Sequence, residues 1–340
     1  METLYQHATA EMKRIIASMI QLSVLTKNFL VPPDSCWENN EWTEILLNGK
    51  GYALHEIPIK KSERSHAWIA RSSIAFSIER AATGLLYQNI QPFINKLVSD
   101  AFLATQDFKK VQAGWINENP QYLPVLMHAI GAFSKRDLQK MIGTGTASDT
   151  GISKPVSARL AEIASKVNGN TIPNKQQITE RIKSTTEGIV RDLVGRLLLE
   201  DFVAEALKRE KVPFLREDEY EHITGVVYDF RADFVIPDPS APKAFIEVRK
   251  SSSGHASLYA KDKMFSAINW KGKHKDCLAI VITEGSWTTT TLEIMSHVFD
   301  YVIPVERAPE AAKKIRQYLD GDKGVLRWLI QFNIAKNVSK

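Results

Sequence analysis

Cysteine is nearly absent: Cys36 and Cys277 are the only two in 340 residues. That excludes a disulfide framework and a cysteine-built zinc site, and it fits a reduced setting. Zinc hydrolysis lacks its spacing as well, because none of the eight histidines stands in a His-Glu-x-x-His or His-x-x-x-His arrangement. No Gly-x-Ser-x-Gly occurs, so a nucleophile elbow has no support. The Gly/Ser/Thr-rich stretch 143–151 has neither a preceding strand nor the Gly-Lys-Ser/Thr ending of a Walker loop, and it reads as a mobile loop. No uninterrupted apolar run approaches transmembrane length, and the start Met1-Glu2-Thr3-Leu4 lacks a basic leader. A cytoplasmic protein with no membrane partner is expected.

What is present is ordinary globular composition, 44% hydrophobic and 24% charged, enough to bury one large core or two. The formal charge of +5 suits an anionic partner but does not identify one. Helical periodicity dominates the first half: Met12, Ile15, Ile16, Met19 and Ile20 mark one helix stopped by Pro32-Pro33, and further patterns cover 66–87, 90–105, 120–133 and 156–167. Residues 35–61 read as irregular, with a short strand near 52–59. Asn168-Gly169-Asn170 and Pro173 suggest a boundary, so a mainly helical region over 1–172 is expected to precede a second domain over 173–340.

The second domain opens with a capping box, Asn174 with Gln177, and a long helix to about Lys211. Its core ridge is Val190, Val194, Leu198, Phe202 and Ala206 at steps of four. Strands are then expected at 220–228, 231–236 and 244–249, followed by a helix at 256–270, a strand at 277–283, a helix at 291–298 and a strand at 301–305. Helices at 309–319 and 325–334 close the chain. This alternation predicts an α/β fold whose crossover helices join parallel strands of a mixed sheet.

Two of those strands form a hairpin around Ser240, which sets Asp233 across from Glu247. Alternation puts Arg231, Asp233, Val235, Phe245, Glu247 and Arg249 on one face, and the apolar Ala232, Phe234, Ile236, Ala244, Ile246 and Val248 on the other. Facing carboxylates repel unless a cation lies between them, and hard oxygen ligands suit Mg²⁺. The alternative is two surface acids, each solvated or paired with Arg231 or Arg249.

Asp233-Phe234-Val235-Ile236 followed by Ile246-Glu247-Val248-Arg249 resembles the PD-(D/E)xK nucleases, the superfamily of many type II restriction endonucleases. The resemblance spans about 174–306 and implies a restriction-endonuclease-like mixed sheet flanked by helices. It implies that Asp233, Glu247 and the carbonyl of Val248 hold Mg²⁺. It also gives Arg249 the place where the family has a lysine, and Glu200 the place of an extra acid directed at the metal. Glu200 equally fits a helix-surface acid paired with Arg196. Pro237-Asp238 falls in the loop, too far along to face Glu247.

After Glu247 come Arg249, Lys250, Ser252, Ser253, His255, Lys261, Lys263, Lys271 and Lys273, a tract suited to a phosphodiester backbone. The simpler alternative is a solvated lysine-rich helix. The resemblance implies a Mg²⁺-dependent endonuclease acting on double-stranded DNA as a homodimer, with a cognate DNA methyltransferase acting on the same site. A nuclease fold that only binds DNA, and a repair or structure-specific nuclease, are the rival readings.

Overall fold

A computed structural model describes residues 2–143, 145–167, 173–251 and 256–331. The chain divides into two compact units, each assembled from several segments. The first comprises Met1–Ile15, Leu47–Ile57 and Arg71–Leu197; the second comprises Ile16–Leu46, Pro58–Ala70 and Leu198–Lys340. The helix Lys175–Leu193 packs on Ile78–Ala104 and Leu123–Ala129 and falls in the first unit. The turn expected at 168–170 lies outside the described residues.

The first unit is helical. Ile78–Ala104 is one 27-residue helix where two were expected, with Pro92 accommodated inside it and Ser77 capping it by accepting from the Arg80 N–H. The capping box is present as read: Asn174 Oδ1 accepts from Gln177 N and Gln177 Oε1 from Asn174 N, both at 2.9 Å. The stretch 143–151, read as a loop, carries a minimal hairpin of β1 (Ala147–Ser148) and β2 (Gly151–Ile152), closed by the Ser148 hydroxyl on Gly151. Residues 35–61, divided between the two units, contain helices Ser35–Glu38 and Asn40–Gly49 and a 3-10 turn at Leu54–Glu56, with no strand.

The long helix after Asn174 is interrupted by a π-helical turn, Val194–Leu198, before resuming as Leu199–Arg209. Val190, Val194, Leu198, Phe202 and Ala206 are nevertheless all buried, as the step-of-four ridge requires.

The second unit is built on a five-stranded mixed sheet in the order β3 (Leu215–Arg216), β4 (Phe234–Ile236), β5 (Ala244–Ser251), β6 (Leu278–Gly285) and β7 (Tyr301–Pro304). The first three are antiparallel neighbours, and β5, β6 and β7 run parallel. Helices Ala256–Lys273 and Thr289–Ser296 supply the crossovers that parallel pairs need. Two expectations are corrected. The segment 220–228 forms only an isolated bridge, Ile223 with Phe230, and the sheet takes Leu215–Arg216 instead. The chain after Val325 is non-helical as far as residue 331.

Both faces of the sheet centre are covered. Phe245 meets Trp270 edge-on at 4.9 Å and Phe299 at 6.4 Å. The face that carries Asp233, Glu247 and Arg249 is thus also, at Val235 and Phe245, a packed core. Among the described residues no helix is long and apolar enough to cross a membrane.

Candidate active site

The β4–β5 register is the one the hairpin reading requires: Phe234 pairs with Ile246, Val235 with Phe245 and Ile236 with Ala244. One step further along the ladder, Asp233 stands across from Glu247. Here the ladder changes character, because the Asp233 carboxylate takes the place of a backbone acceptor and receives the Val248 N–H at 2.6 Å. Asp233 is held from the other side as well. Its carbonyl accepts the Glu217 N–H at 3.1 Å, and the Tyr220 hydroxyl both donates to the Ala232 carbonyl and accepts the Ala232 N–H. Pro237-Asp238 lies in the loop as expected, where Asp238 accepts from the Ser240 N–H and hydroxyl and from Ala241.

Arg249 gathers the proposed ligand set. Its Nη1 donates to Asp233 Oδ2 at 3.0 Å and to the Val248 carbonyl at 2.6 Å, while Nη2 donates to Glu247 Oε2 at 2.8 Å. The guanidinium therefore contacts one oxygen of each of the three groups that the resemblance assigns to a cation. A second cation, Lys263 from the Ala256–Lys273 helix, reaches Glu247 Oε2 at 3.1 Å.

Burial dominates the electrostatics. Glu247 is completely buried, and loss of water pushes its carboxyl up to about 8; repulsion from Asp233 adds to this, and Arg249 and Lys263 oppose it. Glu200, partly buried on the Leu199–Arg209 helix, is raised to about 7, first by burial and then by the charge of Asp233. The same helix is tied to β3 by the Arg216–Asp201 ion pair at 2.6 Å.

The donor set fits a hard divalent cation. It offers two carboxylates and a carbonyl, and Glu247 Oε1 is buried without a hydrogen-bond partner. Among the described residues no group of three or more His, Cys, Asp or Glu side chains is gathered closely enough to hold a metal.

Lys250 behaves as alternation demands. The eight parallel pairs from Ala244–Leu278 to Ser251–Gly285 run without a bulge, so Lys250 is exposed on the face opposite Arg249.

The basic tract divides. Lys261 and Lys273 are exposed. Lys271 is not: it is fully buried and paired with Asp300 at 2.5 Å, while Asp300 also accepts from Ala279, Arg327 and Trp328 N–H groups. Lys263 is likewise withdrawn from the surface by Glu247. A helix carrying lysines every few residues necessarily turns some of them inward, and counting them in sequence does not say which. Ser252, Ser253 and His255 lie outside the described residues. Trp270 packs beneath its helix rather than facing solvent.

The roles of Tyr220 and Lys263 at the site were missed by sequence reasoning. Each acts across the fold, with no local motif to mark it.

No family model matches the chain, and no curated protein matches it. Among solved structures, the chain is similar to one described as a restriction endonuclease PspGI–substrate DNA complex, at 13% identity over 59% of this chain and 83% of that one, with a TM-score of 0.28. The chain is a mixed α/β protein with a helical amino-terminal region, in which Arg249 closes over the acid pair Asp233 and Glu247.

Proposed function

We propose that this protein is a divalent-metal-dependent DNA endonuclease, with sequence-specific cleavage of the type II restriction kind as the finer reading. The observation that carries it is the convergence of Asp233, Glu247 and the Val248 carbonyl on one cationic group. An inert pair of surface acids has no reason to be buried together, because each loses hydration on burial. When bound at those oxygens, Mg²⁺ supplies positive charge to the scissile phosphate and to the attacking water.

The chain's own residues do the rest. Asp233 is aimed by the Val248 N–H and the Tyr220–Ala232 bonds, so its oxygens need little reorganisation. Arg249 stays protonated at any working pH, and it therefore stabilises charge on a phosphate oxygen and does not accept a proton. Glu200, with its carboxyl raised to about 7, is suited to exchanging a proton near neutrality. Lys261 and Lys273 hold the DNA backbone. Products with 5′-phosphate and 3′-hydroxyl ends, and a homodimer acting on a palindrome, belong to this reading.

A second reading has one observation in its favour. With Arg249 ion-paired to both carboxylates, the fold also suits a module that binds DNA without cutting it. Incubation with phage DNA separates the two. Discrete fragments that appear with Mg²⁺ and vanish with EDTA are expected, and both Asp233→Asn and Glu247→Gln should lose at least about a thousandfold in rate while retaining DNA. Retained DNA with no cleavage under any divalent cation establishes the binding module; cleavage undiminished in both variants removes the site assignment.

A further inference from the structure

Two cations bear on Glu247, and they are not equivalent. Lys263 is withdrawn, its side chain 10% exposed, whereas the Arg249 side chain is 26% exposed and lies over Asp233 (5%) and Glu247 (0%). Arg249 is thus the outermost part of the cluster, and it spends its donors on one oxygen of each of the three groups that a metal would take. Lys263 contacts Glu247 alone among them. Removing the guanidinium therefore leaves Glu247 Oε2 with a partner and exposes the other oxygens together.

We propose that Arg249 is a displaceable cation that occupies the metal-ligand oxygens until a DNA phosphate draws it away, while Lys263 is the fixed positioning residue that keeps Glu247 aimed. The inference rests on the nuclease reading above. Charge supports it. With both carboxylates ionised, as metal ligation requires, Asp233 and Glu247 are balanced by Arg249 and Lys263, so a divalent cation added to this cluster leaves two positive charges uncompensated. An anion arriving with it is favoured, and each phosphodiester offsets one of those charges and gives the Arg249 fork a bidentate acceptor. Metal and DNA consequently bind with positive, reciprocal coupling, and neither binds well alone at this site.

Calorimetric titration of the full-length chain with Ca²⁺, alone and in the presence of sheared phage DNA, tests this directly. The wild type is expected to bind Ca²⁺ roughly tenfold more tightly with DNA than without. Arg249→Gln is expected to bind Ca²⁺ without DNA roughly tenfold more tightly than the wild type, and to lose most of the DNA dependence. Should Arg249→Gln fail to fold, Arg249→Lys carries the test: it keeps the charge but not the fork, and an intermediate gain in DNA-free affinity is expected. Wild-type cleavage with Mg²⁺, combined with unchanged DNA-free Ca²⁺ affinity in the folded variant, overturns the displacement and leaves the nuclease reading standing. Absence of both Ca²⁺ binding and Mg²⁺-dependent cleavage in the wild type overturns both.

Discussion

Burial sets the protonation of Glu200, and with it a pH dependence that a single substitution isolates. The folded-state carboxyl is raised to about 7 from an ordinary 4.5, so between those values the folded chain holds a proton that the unfolded chain has released. Stability from this group is complete below about pH 4.5 and is lost as pH rises through about 7. Glu200→Gln lacks that loss. Thermal melts of the metal-free protein should show the variant more stable than wild type at pH 8, by on the order of 1–2 kcal/mol, with the gap closing toward pH 4.5. A gap that is constant across this range would mean that Glu200 is ionised throughout and has no proton to exchange. Which acids shift in this way was not legible in the sequence. Sequence marks Glu200 only by its place on the helix before the sheet, and the charge of Asp233 bears on it only once the chain is folded.

The Ala256–Lys273 helix carries two populations of lysine. Its exposed residues Lys261 and Lys273 suit phosphate, and each contact releases counterions. Neutralising both is expected to lower the slope of log K against log salt by about 2, with little change in sequence preference. Lys271→Met acts differently, because it leaves Asp300 buried with only backbone donors and should cost about 3 kcal/mol of stability. Measured salt slopes and denaturant midpoints distinguish the two effects. A Lys271→Met protein of wild-type stability but flattened salt slope would place that lysine at the DNA after all. The element itself was legible from periodicity, as were β5, β6, β7 and their crossovers. Its inward and outward faces were not, since Lys263 and Lys271 gain their partners from β5 and from the segment before β7.

The molecule's two units are interleaved in sequence, and this has a consequence for dissection. The unit bearing the sheet takes Ile16–Leu46 and Pro58–Ala70 from the amino-terminal half. Within it the Ser23 hydroxyl donates to the Glu306 carbonyl at 3.0 Å, and Asn28 donates to the Glu310 carboxylate. A fragment beginning at residue 173 loses these segments and exposes the surface they cover. It is expected to show no cooperative thermal transition by circular dichroism, in contrast to the full chain. A sharp melt at the full-length temperature would mean that the amino-terminal segments are dispensable to the sheet domain. Periodic patterns report on single elements, so a boundary placed at a Gly/Asn/Pro cluster cannot register helices that return to another unit.

By itself the sequence determined the strand pairing at the hairpin. Side chains alternate with period two and the loop centres near Ser240, so Asp233 had to lie across from Glu247 and Arg249 had to share their face. It likewise determined the alternation of strands and helices that makes the sheet mixed, because parallel neighbours need crossovers. Only the tertiary structure decided what surrounds those acids. The second cation on Glu247, the Tyr220 brace on Ala232, the depth of burial that raises Glu247 and Glu200, and the withdrawal of Lys271 all come from packing between elements distant in sequence. Local pattern constrains neighbours along the chain, whereas desolvation and ion pairing depend on every element that closes over a group.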